Sequence, residues 1–127
     1  MKMKKRILFF VMLTIMGIIS MQLYSQEWPQ FRGSGRDGRV TGFKAPATWP
    51  AELNLQWKIT VGTGAASPLL SGKKIYLHTR QGSEEVILCL DASTGKELWR
   101  NSYTAPAAAG PSASHPGPRS TPVAANG

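Results

Sequence analysis

Cys89 is the only thiol in the chain, and His78 and His115 are its only imidazoles. Nucleophilic catalysis through Cys89 requires a base within hydrogen-bond reach, and no spacing in the sequence pairs either histidine with it. Cys89 lies inside Val86-Ile87-Leu88-Cys89-Leu90, so it reads as a small buried hydrophobe. The histidines lack the spacing of a metal site, and a single cysteine excludes both a disulfide framework and a multi-cysteine zinc site. Glu84-Glu85 follows a turn signal and reads as a solvated hairpin tip rather than a general acid/base pair. Gly33-Ser34-Gly35-Arg36-Asp37-Gly38 has the glycine spacing of a dinucleotide fingerprint. That chemistry needs a strand before the glycines and a helix N-terminus after them to meet the pyrophosphate. Trp28-Pro29 precedes, and Gly42, Pro46 and Pro50 follow, so no helix starts there. Gly62-Thr63-Gly64 fails the same test at Pro68. The sequence therefore assigns no catalytic, cofactor-binding or metal-ligating residue and leans away from an enzyme.

Charge is a second chemical signal. The chain of 127 residues carries +8, which invites a nucleic-acid reading. Lys2, Lys4, Lys5 and Arg6 lie together, however, directly before the apolar run Ile7 to Ile19. With those four set aside, 11 basic residues face 7 acidic ones. They are scattered and do not alternate with aromatics as a stacking platform, so no nucleic-acid partner is expected. A cationic start followed by 13 apolar residues has the form of a secretory signal and is too short for a membrane span. Ser25 is a small residue suited to the position before cleavage. No cysteine follows that could take a lipid. Residues 1–25 are thus expected to be a signal peptide, and the rest a soluble periplasmic or secreted protein with no stable membrane anchor.

The exported part must position its side chains on short strands. Gly and Pro interrupt it too often for a helix, and no apolar series of helical period persists. Leu55 to Val61 alternates Leu55, Trp57, Ile59 and Val61 on one face. Lys73 to Thr79 alternates as well, Val86 to Leu90 suits a strand covered on both faces, and Lys96 to Tyr103 forms a fourth run. Ser71-Gly72, Arg80 to Ser83 and Asp91 to Gly95 are hairpin-length connections with glycine available for positive φ. The expectation is an all-β, four-stranded antiparallel meander.

Internal repetition sharpens this expectation. Leu55-Gln56-Trp57-Lys58 recurs as Glu97-Leu98-Trp99-Arg100, with the tryptophans 42 residues apart. Ser67-Pro68 follows the first and Thr121-Pro122 the second. The extra length of the second interval falls in Ala105 to Arg119, which reads as a surface loop. A period of about 42 with four strands is blade-sized for a β-propeller. Residues 26–54 then form a Gly/Pro-rich entry segment, 55–103 one complete blade, and 104–127 a loop and the start of a second blade. Closure needs at least four blades, so the chain is expected to be an N-terminal fragment, ending on the hairpin turn Asn126-Gly127.

Cys89-Leu90-Asp91-Ala92-Ser93-Thr94-Gly95-Lys96-Glu97-Leu98-Trp99 resembles the repeat of PQQ-like (quinoprotein dehydrogenase-like) β-propellers, departing from it only at Cys89, where that repeat has alanine. Trp28-Pro29-Gln30-Phe31-Arg32-Gly33 resembles the opening of exported members. The resemblance implies a propeller parent that acts as a cell-envelope binding or scaffold protein. Its partners would be the remaining blades and envelope proteins. The alternative is a PQQ-dependent alcohol or sugar dehydrogenase, with PQQ and calcium held by blades outside these residues. Within the repeat, Asp91, Thr94 and Gly95 are expected to close a turn, and Trp57 and Trp99 to pack against neighbouring blades, all in structural roles.

Overall fold

The computed structural model describes residues 27–125. The proposed signal peptide and the Asn126-Gly127 turn lie outside the described residues. Four strands follow one another: β1 (Leu69–Ser71), β2 (Lys74–Gln81), β3 (Glu84–Asp91) and β4 (Glu97–Thr104). They form one antiparallel sheet in the order β1-β2-β3-β4. A short 3-10 turn, η1 (Gly110–Ser112), is the one helical element among the described residues.

Two tight turns set the register. Gly72-Lys73 joins β1 to β2 and Gly82-Ser83 joins β2 to β3, with Ser71 opposite Lys74 and Gln81 opposite Glu84. Each loop has two residues with glycine first, at φ 59° and 61°. That is the arrangement of a type II′ hairpin, whose twist matches that of the strands. The third connection, Ala92 to Lys96, is longer, and a register shift between Cys89 and Leu90 leaves Leu98 as an extra residue on β4. A bulge of this kind bends the strand and increases its local twist.

Cross-strand partners share a face, so register sorts the side chains. Ile75 lies opposite Leu90, Leu77 opposite Leu88 and Thr79 opposite Val86. Val86, Leu88 and Leu90 are buried, and Val61, Ile75 and Leu77 pack against them. This first face is the core, and the irregular segment that includes Trp57 and Val61 crosses over it. The second face carries Tyr76, His78, Arg80, Glu85, Cys89, Trp99 and Tyr103. Cys89 is fully buried there, and Tyr76 and Trp99 pack at a ring separation of 6.0 Å. Pro122 to Ala125 lies over the same region, lining a cavity with Tyr76 and Trp99.

Two expectations are corrected. Leu55 to Val61 is not a strand; the first strand is Leu69–Ser71. The edge of β2 is already occupied there: β1 pairs with Lys74 to Tyr76, and Thr63 exchanges both backbone bonds with Arg80. Of the 55–61 run only Trp57 and Val61 are half-buried, Trp57 over the Asp91 turn and Val61 against the core, while Leu55 and Ile59 stay exposed. The larger correction concerns the propeller. The structure is a single open, non-curled sheet with no second blade among the described residues. Residues 105–125 form no strand. Ala65 N–H donates to the Pro118 carbonyl and Ala124 N–H to the Pro29 carbonyl, so this segment folds back on the one sheet rather than opening a second. With the propeller go the PQQ-like assignment and the scaffold or dehydrogenase function that the resemblance implied.

Candidate functional site

Three places gather polar chemistry, and each is built by the sheet. The first is the β3–β4 turn. Asp91 Oδ1 accepts from Ser93 N–H at 3.0 Å, Thr94 N–H at 2.9 Å, Ser93 Oγ–H at 2.6 Å and Thr94 Oγ1–H at 2.9 Å. Gly95 N–H donates to the Asp91 carbonyl, with Gly95 at φ 70°. Four donors on a single oxygen favour the ionised carboxylate, and they lower the Asp91 pKa to about 2, the Ser93 hydroxyl contributing most. Trp57 lies over this turn, its indole N–H donating to the Ala92 carbonyl at 3.1 Å. The site is saturated by its own donors and works as a turn lock.

The sign of its pH dependence follows. A carboxylate whose folded pKa lies below its unfolded value stabilises the fold above the unfolded pKa, and the stabilisation is lost as pH falls through the folded one. Asp91→Asn is therefore expected to flatten the decline in melting temperature between about pH 4 and pH 2, measured by circular dichroism. An unchanged acid limb in the variant would contradict this.

The second place, on the second face, joins three strands. Tyr103 Oη–H donates to Glu85 Oε2 at 2.7 Å, and His78 Nε2 lies 3.1 Å from the same oxygen. That distance allows an ion pair, but the alignment is not that of a hydrogen bond, and Nε2 is buried without a hydrogen-bond partner. Accepting the phenol proton holds Glu85 in place and raises the Tyr103 pKa. Tyr103 is therefore an anchored donor rather than a base near neutrality. Glu85 is no solvated tip: its side chain is about 20% exposed. Sequence spacing missed this cluster because His78, Glu85 and Tyr103 meet only through register. None of the three lines any of the five main depressions among the described residues; the row links β2, β3 and β4 across the sheet.

The third place is the outer edge of β4. Ala105 N–H donates to the Ser83 carbonyl, and β4 pairs with β3 in the same register from Trp99 to Thr104. Backbone direction alternates along a strand, so Trp99, Asn101 and Tyr103 turn their N–H and C=O groups towards β3. Arg100, Ser102 and Thr104 turn theirs outward, where no strand pairs with them among the described residues; the alternation does not extend through the bulge at Leu98. β1 differs: its outward residue, Leu70, exchanges both backbone bonds with Trp28. Residues 98–104 are exposed throughout, including Leu98, Trp99 and Tyr103. Arg100 is held across the bulge by Glu97, with Nε–H donating to Oε1 at 2.8 Å.

The remaining motifs carry no such arrangement. Gly33 to Gly38 is a run of turns, and no helix follows before β1. Cys89 is sealed between Tyr76 and Trp99, and burial raises its pKa, so the thiol is protonated near neutrality. No group of three or more His, Cys, Asp or Glu residues among those described is placed to hold a metal ion. No family model, curated protein or solved structure matches the chain. The resemblance to the PQQ-like repeat thus has no support at the level of family or fold, and the functional reading rests on the sheet itself.

Proposed function

We propose that this chain is an exported binding protein that acts by strand pairing along β4, with a second copy of itself as the partner. The observation that carries the reading is the eight-residue open edge, whose outward donors and acceptors belong to Arg100, Ser102 and Thr104. An open edge of this length is a template for adding a strand. Export is supported by the cationic and apolar pattern of residues 1–25.

A second copy fits because β4 is self-complementary about Asn101. In an antiparallel pair a two-fold axis passes between directly opposed residues, and with Asn101 on that axis Arg100 faces Ser102 and Leu98 faces Thr104. Arg100, Ser102 and Thr104 are outward-turned, and each Arg100–Ser102 pair exchanges two backbone bonds, while the bulge takes Leu98 out of the ladder. Trp99 then faces Tyr103 at the narrow, non-hydrogen-bonded positions, where side chains approach most closely and aromatic pairs add stability. No like charges are opposed. Centring on Arg100 would oppose two guanidiniums, which is unfavourable.

Ser102→Pro is the selective test. Proline lacks an N–H and is tolerated on an edge strand when that N–H faces solvent. The variant loses one outward donor per chain while the β3 ladder stays intact. Sedimentation of the 127-residue chain at about 100 µM is expected to show a dimer, and Ser102→Pro a monomer with the same circular dichroism. A monomeric parent chain, or an equally dimeric variant, would overturn the reading.

A further inference from the structure

At the end of the sheet away from the Asp91 turn, residues 62–64, the β2–β3 turn and residues 107–119 enclose two adjoining depressions. Their volumes are about 690 and 330 Å3, and they share Gly62, Thr63 and Pro116. Arg80, Arg100, Arg119 and His115 line them, and no Asp or Glu does. Arg100 is neutralised by Glu97. Arg80 and Arg119 form no ion pair among the described residues; Glu85 lies opposite Arg80 in register, but its carboxylate accepts from Tyr103 and lies against His78.

Arg80 is the unusual member. It is 6% exposed, and a buried cation is ordinarily matched by an anion. Its Nη2 donates to the Ala105 carbonyl at 2.9 Å and its Nη1 to the Pro106 carbonyl at 3.4 Å. Those two bonds fix the guanidinium plane without neutralising it, and a guanidinium has five donors in all. The backbone beside it adds further donors. Thr63 spends its N–H and C=O on Arg80, so Gly62 and Gly64 turn theirs the other way. Neither glycine N–H has an acceptor among the described residues.

We infer that this groove is a binding site for an oxyanion, a phosphate or carboxylate group borne by a small ligand. The planar fork of Arg80, held in place by two carbonyls, suits the paired oxygens of such a group. Arg119 supplies a second cation from the rim, and the N–H groups of Gly62 and Gly64 supply neutral donors. Ala65, Ala107 and Pro116 offer small apolar walls for the rest of the ligand. The groove meets the β4 edge only at Arg100, whose guanidinium is held by Glu97, and the anion proposal does not rest on that residue.

The test uses the 127-residue chain titrated with sodium phosphate and, separately, sodium acetate, each against sodium chloride at matched ionic strength, because exposed charges are screened by salt. The amide resonances of Gly62 and Gly64 report binding. Saturable shifts with phosphate or with acetate support the site, and the stronger of the two identifies the anion class. Arg80→Gln removes the central cation but also two bonds that hold residues 105–106, so it can unfold the groove. Arg119→Gln, on an exposed residue, avoids that problem and is expected to weaken binding about tenfold, in keeping with loss of a charge-assisted contact. Ser102→Pro is expected to bind as the parent does. Shifts no different from those in chloride, shifts that rise without saturating, or an Arg119→Gln variant that binds unchanged would each overturn the inference.

Discussion

Leu90→Ala is expected to lower the free energy of unfolding by about 3–5 kcal/mol, the range for emptying a buried leucine site that cannot fully collapse. Leu90 is fully buried and lies opposite Ile75, one step from the β4 bulge. Its neighbours in the core are Leu88 and Val86, with Val61 arriving from an irregular segment. A single sheet with one strap over its core face has little else to close the gap. Small domains have only about 5–15 kcal/mol in total, so this one side chain carries a large share. Urea titration should show the midpoint fall with an unchanged slope. Leu53→Ala is the control, because Leu53 is 82% exposed and a surface change should stay within about 0.5 kcal/mol. Similar losses from both variants would mean that the core is not where the structure places it.

Gly95→Ala is the second large effect, and its cause is different. A β-carbon at Gly95 would stand 2.5 Å from Trp57 Cε3 and 2.7 Å from Cδ2, closer than atoms pack. The residue also sits at φ 70°, which costs a non-glycine residue about 1–2 kcal/mol. Trp57 must therefore move, and its bond to the Ala92 carbonyl is worth about 1 kcal/mol more. The expected loss is about 2–3 kcal/mol, with a red-shifted tryptophan emission as the indole leaves the turn. Gly82→Ala separates the two causes. Gly82 has φ 61°, and an added β-carbon there meets nothing within 4 Å, so backbone strain acts alone. Equal losses at the two positions would remove the Trp57 contact as a contributor.

Much of the sheet was legible in the sequence, and the reason is local. β2, β3 and β4 coincide closely with the runs 73–79, 86–90 and 96–103, because alternation with a period of two and glycine-bearing turns act within a few residues. Leu55 to Val61 shows the limit of that signal. Its alternation is that of a strand, yet alternation says only that one side is apolar, not that an edge is free to pair with it. Thr63 and β1 had taken the edge of β2. The Trp57/Trp99 spacing misled for a related reason. The two tryptophans occupy unlike places: Trp57 covers a turn of the sheet, while Trp99 lies on its exposed outer strand.

The candidate sites divide along the same line. The amino-acid sequence by itself determined that the described residues are β in content, that Asp91 to Gly95 makes a turn, and that Cys89 is interior, since each depends on neighbours in the chain. The tertiary structure alone decided how many sheets form and which edge stays open. It also decided that His78, Glu85 and Tyr103 share one carboxylate, and that Arg80 is buried with carbonyls but no ion pair. Those outcomes depend on strand register and on where residues 105–125 fold back. Both are set by contacts between distant segments, whose loop-closure cost and pairing competition leave no periodic mark in the sequence.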